Sequence, residues 1–180
     1  MVALAIGWQS LTQDAVAIIR ADYAALRTTI NLESSMSGYS VPAISSDGYE
    51  VKGADGRHLP QADFFVNVRA TPDVETLGIA SGVSRQNWDL RVVVGIRHQT
   101  FGAAAGYPDT AAWPEDAALQ VLGATARCVL NALVAGLPAK TGVYNVLQRP
   151  ASLIPPETKR PVYRMELRLT VGVFTQNAWS

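Results

Sequence analysis

Apolar and polar residues alternate strictly near the end of the chain. Tyr163, Met165, Leu167, Leu169, Val171 and Val173 fall on one side, and Arg164, Glu166, Arg168 and Thr170 on the other. A two-residue period predicts a strand over Val162 to Phe174 with one buried face, and a slip of one residue would expose the whole apolar set. The same period marks two earlier runs. From Asp63, Phe64, Val66 and Val68 alternate with Phe65, Asn67 and Arg69; from Trp88 to His98, Leu90, Val92, Val94 and Ile96 alternate with Arg91, Val93, Gly95 and Arg97. Shorter strands are expected over Glu75 to Ser81 and Val143 to Leu147.

Two segments carry a helical period instead. Leu11, Ala15, Ile18, Ile19, Ala25, Leu26 and Ile30 predict one helix opening at Ser10, with Gln13 completing a capping box. Asp22 falls on its apolar stripe, which fits a helix end that reaches past the core into solvent. The second helix is expected to start near Pro114, with Glu115 and Asp116 at its positive end, and to stop at Gly136 and Pro138. Its stripe is Ala118, Val121, Leu122, Cys128, Val129, Ala132 and Leu133, with Thr125 placed to bond back to a carbonyl one turn earlier.

Between these elements, residues 31–60 are rich in Ser, Gly and turn pairs such as Asp47-Gly48 and Asp55-Gly56, so a long loop or loose hairpin is expected there. Residues 99–113 read as a flexible but apolar loop, and Pro150, Pro155 and Pro156 as a connection. The order of elements predicts an α+β fold in one domain over residues 1–180: a mainly antiparallel sheet with two principal helices packed on one face.

Composition narrows the function classes. Fifteen basic and fifteen acidic residues cancel, which argues against a dedicated nucleic-acid binder while leaving room for a local basic patch. Charged residues make up only 17% of the chain, a proportion that suits a surface partly covered by partners. The opening Met1-Val-Ala-Leu-Ala-Ile-Gly lacks the charged start of a secretory signal, and no stretch reads as membrane-spanning, so a soluble protein made in a cytoplasm is expected.

Candidate chemistry is sparse. Cys128 reads as a small buried hydrophobe, and His58 and His98 stand without a nucleophile motif around them. Asp47, Glu50 and Asp55 come nearest to a cation cluster but suit turns better, and Gly102 to Gly106 lacks the Lys-Ser/Thr of a phosphate loop. No catalytic residue, cofactor site or metal site is predicted, and the chain is not expected to be an enzyme. Trp8, Trp88, Trp113 and Trp179 lie at element margins, where indoles either anchor interfaces or cap the monomer core.

The helix from Leu11 to Ile30, the long loop after it, the run Asp89-Leu-Arg-Val-Val-Val-Gly-Ile-Arg-His98, the helix from Ala117 to Leu133 and the closing Tyr163 to Val171 together resemble the tail terminator and tail completion proteins of long-tailed bacteriophages. The resemblance lies in element order and spans most of the chain. It implies a virion protein forming a homohexameric ring that caps the tail tube and meets the head connector, with DNA present only as it passes through the lumen. Loops 31–60 and 99–113 would then be contact elements, and Trp88, Phe101, Tyr107, Arg164, Glu166 and Arg168 are candidate assembly-interface residues. Three alternatives stand beside it. One is another neck or connector protein, and a second is a small-ligand domain or enzyme with a pocket near His98, Tyr107 and Asp109. The third is a nucleic-acid module, which requires Arg69, Arg91, Arg97, Arg164 and Arg168 to share one face.

Overall fold

A computed structural model of the chain describes residues 8–34, 43–45, 64–78, 83–97, 115–154 and 162–176. Three helices are seen among them: α1 (Trp8–Ala21), α2 (Tyr23–Ser34) and α3 (Glu115–Gly136), the last running into a short 3-10 turn at Leu137–Ala139. The strands are β1 (Ala43–Ser45), β2 (Phe64–Gly78), β3 (Val83–Arg97), β4 (Val143–Gln148), β5 (Ser152–Ile154) and β6 (Val162–Gln176). They form one sheet in the order β1-β2-β3-β6-β4, with β5 also paired to β6. The architecture is α+β. All described pairings are antiparallel except that of β1 with β2.

The closing strand lies inside the sheet. Along one edge β6 pairs with β3 without a register shift from Val83↔Gln176 to Arg97↔Val162; along the other it takes β4 and then β5. This register puts Leu90, Val92, Val94 and Ile96 of β3 on the same face as Leu167, Leu169, Val171 and Val173 of β6, all of them buried. Phe64, Val66, Val68 and Ala70 of β2 extend that face, and α1 and α3 lie on it. Full burial of each such side chain stabilises by about 1.5–3 kcal/mol, so a slipped register would cost far more than the margin of a typical domain.

The helices are sorted by the same burial. From α1, Leu11, Ala15 and Ile19 are fully buried, and Thr12 is buried with them because its Oγ1 accepts the Ala70 amide at 3.1 Å, tying α1 to β2. In α3 the buried set is wider than a stripe, since Ala124, Ala126 and Leu130 are covered as well as Val121, Leu122, Cys128, Val129, Ala132 and Leu133. The sheet lies on one side of α3 and α2 packs on another. Residues Leu119–Ala139 are in fact long and apolar enough to cross a membrane, contrary to the expectation from the sequence. Most of that stretch is buried inside the fold, and a core helix covered from several sides has the same composition.

Several expectations are corrected. The predicted first helix starts at Trp8, so Ser10 lies inside its first turn, and it is divided at Asp22. Backbone bonds from Asp22 N to Ile18 O (3.2 Å) and from Leu26 N to Asp22 O (2.8 Å) carry across the division, and Asp22 is exposed there. Just beyond it, burial pushes the Tyr23 hydroxyl up to about 12 against the opposing pull of Arg27. Ala25 is exposed rather than buried. Of the run expected as a separate strand over Glu75 to Ser81, the part up to Gly78 is a continuation of β2 through an irregularity between Pro72 and Thr76, where proline's missing donor is tolerated, and 79–81 lie outside the described residues. β1 lies within the expected loop 31–60, and β5 within the proline-rich connection. Thr125 Oγ1 makes no hydrogen bond among the described residues; Thr29 instead bonds back to Ala25 O at 3.2 Å. The loop 99–113 lies outside the described residues, as does most of 31–60.

Truncating either side of this core should leave a cavity. Leu169→Ala and Leu133→Ala are each expected to lower the unfolding free energy by about 2–5 kcal/mol in urea titrations, whereas Leu147→Ala, at an exposed position, should change it by about 0.5 kcal/mol or less.

Candidate assembly surface

Alternation along three long strands leaves a second sheet face turned away from the helices. Its rows follow from register: Phe65–Gly95–Arg164, then Asn67–Val93–Glu166, then Arg69–Arg91–Arg168, then Thr71–Asp89–Thr170 across β2, β3 and β6. Past the irregularity in β2 the face continues with Asn87 opposite Gly172 and Arg85 opposite Phe174. It is more than a solvated polar surface.

Glu166 is its electrostatic centre. The side chain is only 6% exposed, and its two carboxylate oxygens each take an arginine: Oε2 accepts from Arg91 Nη2 and Oε1 from Arg168 Nε, both at 2.5 Å. Burial by itself would raise the carboxyl's pKa, but the hydrogen bonds and charges of Arg168 and Arg91 outweigh it and hold the group below its ordinary value. Glu166 and Arg168, both named from the sequence as candidate interface residues, thus pair with each other within one strand. The cross-strand member, Arg91, becomes visible only when β3 and β6 are in register.

The rest of the face is rich in arginine. Arg69, Arg85 and Arg149 are exposed, Arg164 is half-buried, and Arg149 Nε donates to Thr170 Oγ1 at 2.6 Å from the end of β4. Arg69, Arg91 and Arg168 stand directly opposite one another on adjacent strands, an arrangement that costs a sheet stability unless an anion intervenes. By register the five arginines that a nucleic-acid face would require, Arg69, Arg91, Arg97, Arg164 and Arg168, all fall on this face, Arg97 at the end of β3 opposite Val162.

Aromatic rings cover two glycines here. Phe65 lies over Gly95, where an added Cβ would come within 2.1 Å of the ring, and Tyr144 lies over Gly172 with a closest approach of 2.6 Å. Each glycine lets a ring from a neighbouring strand lie flat on the sheet. Phe65 and Val93 are thereby buried apart from the main core. At the other end Tyr144 and Phe174 meet in a tilted contact, 5.0 Å between centroids and 48° between planes, with the Arg85 guanidinium 5.4 Å from one ring and 5.6 Å from the other. Leu147, 55% exposed, pairs with Thr170 beside them.

The sequence-selected residues are thus divided. Arg164, Glu166 and Arg168 lie together on this face, while Trp88 is 4% exposed in the main core, with its Nε1 donating to Gln86 Oε1 at 2.9 Å. Of the two readings of Trp88, the core one holds, and the ring presents little surface to a partner. Phe101 and Tyr107 lie outside the described residues, as do His58, His98 and Asp109. Among the described residues no group of His, Cys, Asp and Glu is placed to hold a metal ion, and Cys128 is a buried thiol. Arg85, Tyr144, Arg149 and Phe174 were missed by sequence reasoning. The signal available for them was glycine inside otherwise apolar strands, which marks close approach by another group.

The fold matches one already seen in a virion. A chain in the structure described as the virion of a native gene transfer agent particle is similar over 91% of this chain and 93% of its own length, with a TM-score of 0.52 and 17% sequence identity. At that identity the likeness is one of fold. No family model matches the sequence, and no curated protein does.

Two substitutions probe the face. Glu166→Gln should cost about 1–3 kcal/mol, because it leaves two arginines around a neutral amide. Since the folded pKa is depressed, the contribution of Glu166 is present above its unfolded value and should fade as pH drops through the folded value below it. The stability difference between wild type and Glu166→Gln should therefore narrow in acid and be flat near neutrality. Gly95→Ala should destabilise through the Phe65 ring, and the loss should be smaller in a Phe65→Ala background, measured as a double-mutant cycle.

Proposed function

We propose that this protein is a structural subunit of a tailed, phage-like virion, and specifically the tail terminator: a ring that closes the finished tail tube and gives the head connector its docking surface. The observation that carries this reading is the fold shared with a gene transfer agent virion chain along nearly the whole length of both. The element order that resembles tail terminators supports the finer assignment. A sheet backed by helices on one face, with an arginine, tyrosine and leucine surface on the other, suits a subunit whose task is contact with protein neighbours. Such a role needs no catalytic group. The proposed partners are further copies of the chain in a hexameric ring, the tail tube protein and the neck proteins, and the proposed location is the tail or neck of the particle, assembled in the host cytoplasm.

Deleting the gene in a producing cell should give filled heads and separate tails that do not join, with complementation restoring whole particles, and tagged protein should label the head-proximal end of the tail in electron micrographs. Normal joined particles without the protein would overturn the assignment, and label elsewhere on the virion would move the chain to another structural position.

A further inference from the structure

By register, Arg69, Arg85, Arg91, Arg97, Arg164 and Arg168 fall on the outer sheet face, and Arg149 joins them from the end of β4. Alternation puts Asp73, Glu75, Asp89 and Glu166 on the same side, so the face as a whole is only modestly basic. Its charge is divided along the strands. Asp73, Glu75 and Arg85 lie at the end where β2 loses register, and Asp89 stands in the row bordering them. The half from Arg91 to Arg97 holds the other six arginines and, among the described residues, the single carboxylate of Glu166.

The densest part of that half is one row. Arg69, Arg91 and Arg168 stand side by side on β2, β3 and β6, and a bond from Arg149 N to Arg168 O at 2.9 Å brings a fourth arginine beside them. At the spacing of strands the row is about 14 Å wide, and Arg164 and Arg97 carry the positive field about 20 Å along the sheet. Overall neutrality of the chain conceals this patch.

Resting on the virion-subunit reading above, we infer that this basic half of the outer face binds the sugar-phosphate backbone of duplex DNA, without reading its sequence. Charge complementarity is the first reason: a linear polyanion matches a broad positive field that has its carboxylate at the base. Glu166 is 6% exposed, while the Arg91 and Arg168 side chains that it holds are 41% and 49% exposed. A buried carboxylate that orients cations at the surface lowers the entropy cost of ordering them on a ligand. All the basic residues of the face are arginine, whose planar fork takes phosphate oxygens in pairs.

The shape of the patch selects the form of the ligand. Phe65, the ring within the basic half, is buried flat on Gly95, so the bases of a single strand find no platform to stack on there. A broad sheet also presents no helix to a groove, which leaves phosphate contacts and no base readout. A protein partner is less well matched, because interfaces centre on apolar anchors, and the exposed Tyr144 and Leu147 lie from the Thr170 row onward, in the other half. The duplex within reach of a virion subunit is the DNA that the particle carries.

Anisotropy of a labelled mixed-sequence DNA duplex, titrated with the full chain over a salt series, tests this. Wild type should bind, and its association constant should fall roughly a hundredfold between about 0.05 M and 0.2 M salt, as about four phosphate contacts require. Arg69→Gln/Arg149→Gln leaves Glu166 and its two arginines in place; it should lower the salt slope by about two and weaken binding about tenfold or more at the lower salt. Its urea midpoint should stay within the range of a surface change. Arg27→Gln/Arg127→Gln, which removes two exposed charges from α2 and α3, should bind as wild type does. A duplex of unrelated sequence should bind equally, and a single strand of the same length more weakly. Wild type that leaves the duplex unbound at low salt, or an off-face variant that weakens binding as much as the on-face one, would overturn this surface. The ring reading would still stand if tagged protein labels the head-proximal end of tails. Strong preference for one sequence, or equal binding of the single strand, would overturn backbone contact to a duplex. Self-association lost in Arg69→Gln/Arg149→Gln, with no DNA bound by wild type, would make the patch a protein interface and overturn the proposal. DNA binding through these arginines by a protein absent from particles would keep this surface and overturn the ring reading instead.

Discussion

The structure depends on the pairing of β3 with β6. Fifteen residues of each strand face one another without interruption, and the pairing decides every other relation in the sheet. It assembles the apolar floor on which α1 and α3 rest, and on the reverse side it brings Arg91 to Glu166. A shift by one residue would exchange those faces, placing leucines in water and two arginines under a helix. The hydrophobic penalty thus specifies the position of a polar cluster that contributes much less to stability.

From that central pair the molecule grows unequally. On one flank β2 is long and carries a local irregularity at Pro72, while β1 adds a three-residue parallel margin. On the other flank β4 and β5 share the edge of β6, and Tyr144 folds over Gly172 where β4 loses register between Val143 and Asn145. Glycine serves opposite needs on the two faces. On the helix side Gly136 lets Ile18 of α1 approach the end of α3, with a Cβ there meeting Ile18 at 2.9 Å; on the outer side Gly95 and Gly172 accept aromatic rings. A methyl group at any of the three would push elements apart.

The two faces differ in what they ask of the surroundings. The helix face is largely satisfied within the chain: Thr12 Oγ1 accepts the Ala70 amide and the hydroxyls of Ser84 and Thr175 lie 2.7 Å apart at the end of the core, while Thr125 Oγ1 finds no partner among the described residues. The outer face holds one buried carboxylate among many guanidiniums, and rings that stay partly exposed. That asymmetry is the chemical character of the described structure.

Much of this was determined by the sequence alone. The period-two runs located β2, β3 and β6 with their buried residues, and the period-3.6 stripes located the helices and the burial of Cys128, because burying a periodic apolar face is a local demand that any tertiary solution must meet. The α+β class followed from the order of those segments. What the residues did not disclose was pairing between distant segments: that β6 is flanked on both sides, that β5 exists, that Trp88 lies in the core, and that Arg69, Arg85, Arg91 and Arg149 share one sheet face with Arg164, Glu166 and Arg168. Short edge strands such as β1 and β5 hold their shape through hydrogen bonds from a longer neighbour and have little periodicity of their own. The cationic face is legible only once three strands are in register, since charges more than seventy residues apart become neighbours through the tertiary fold alone.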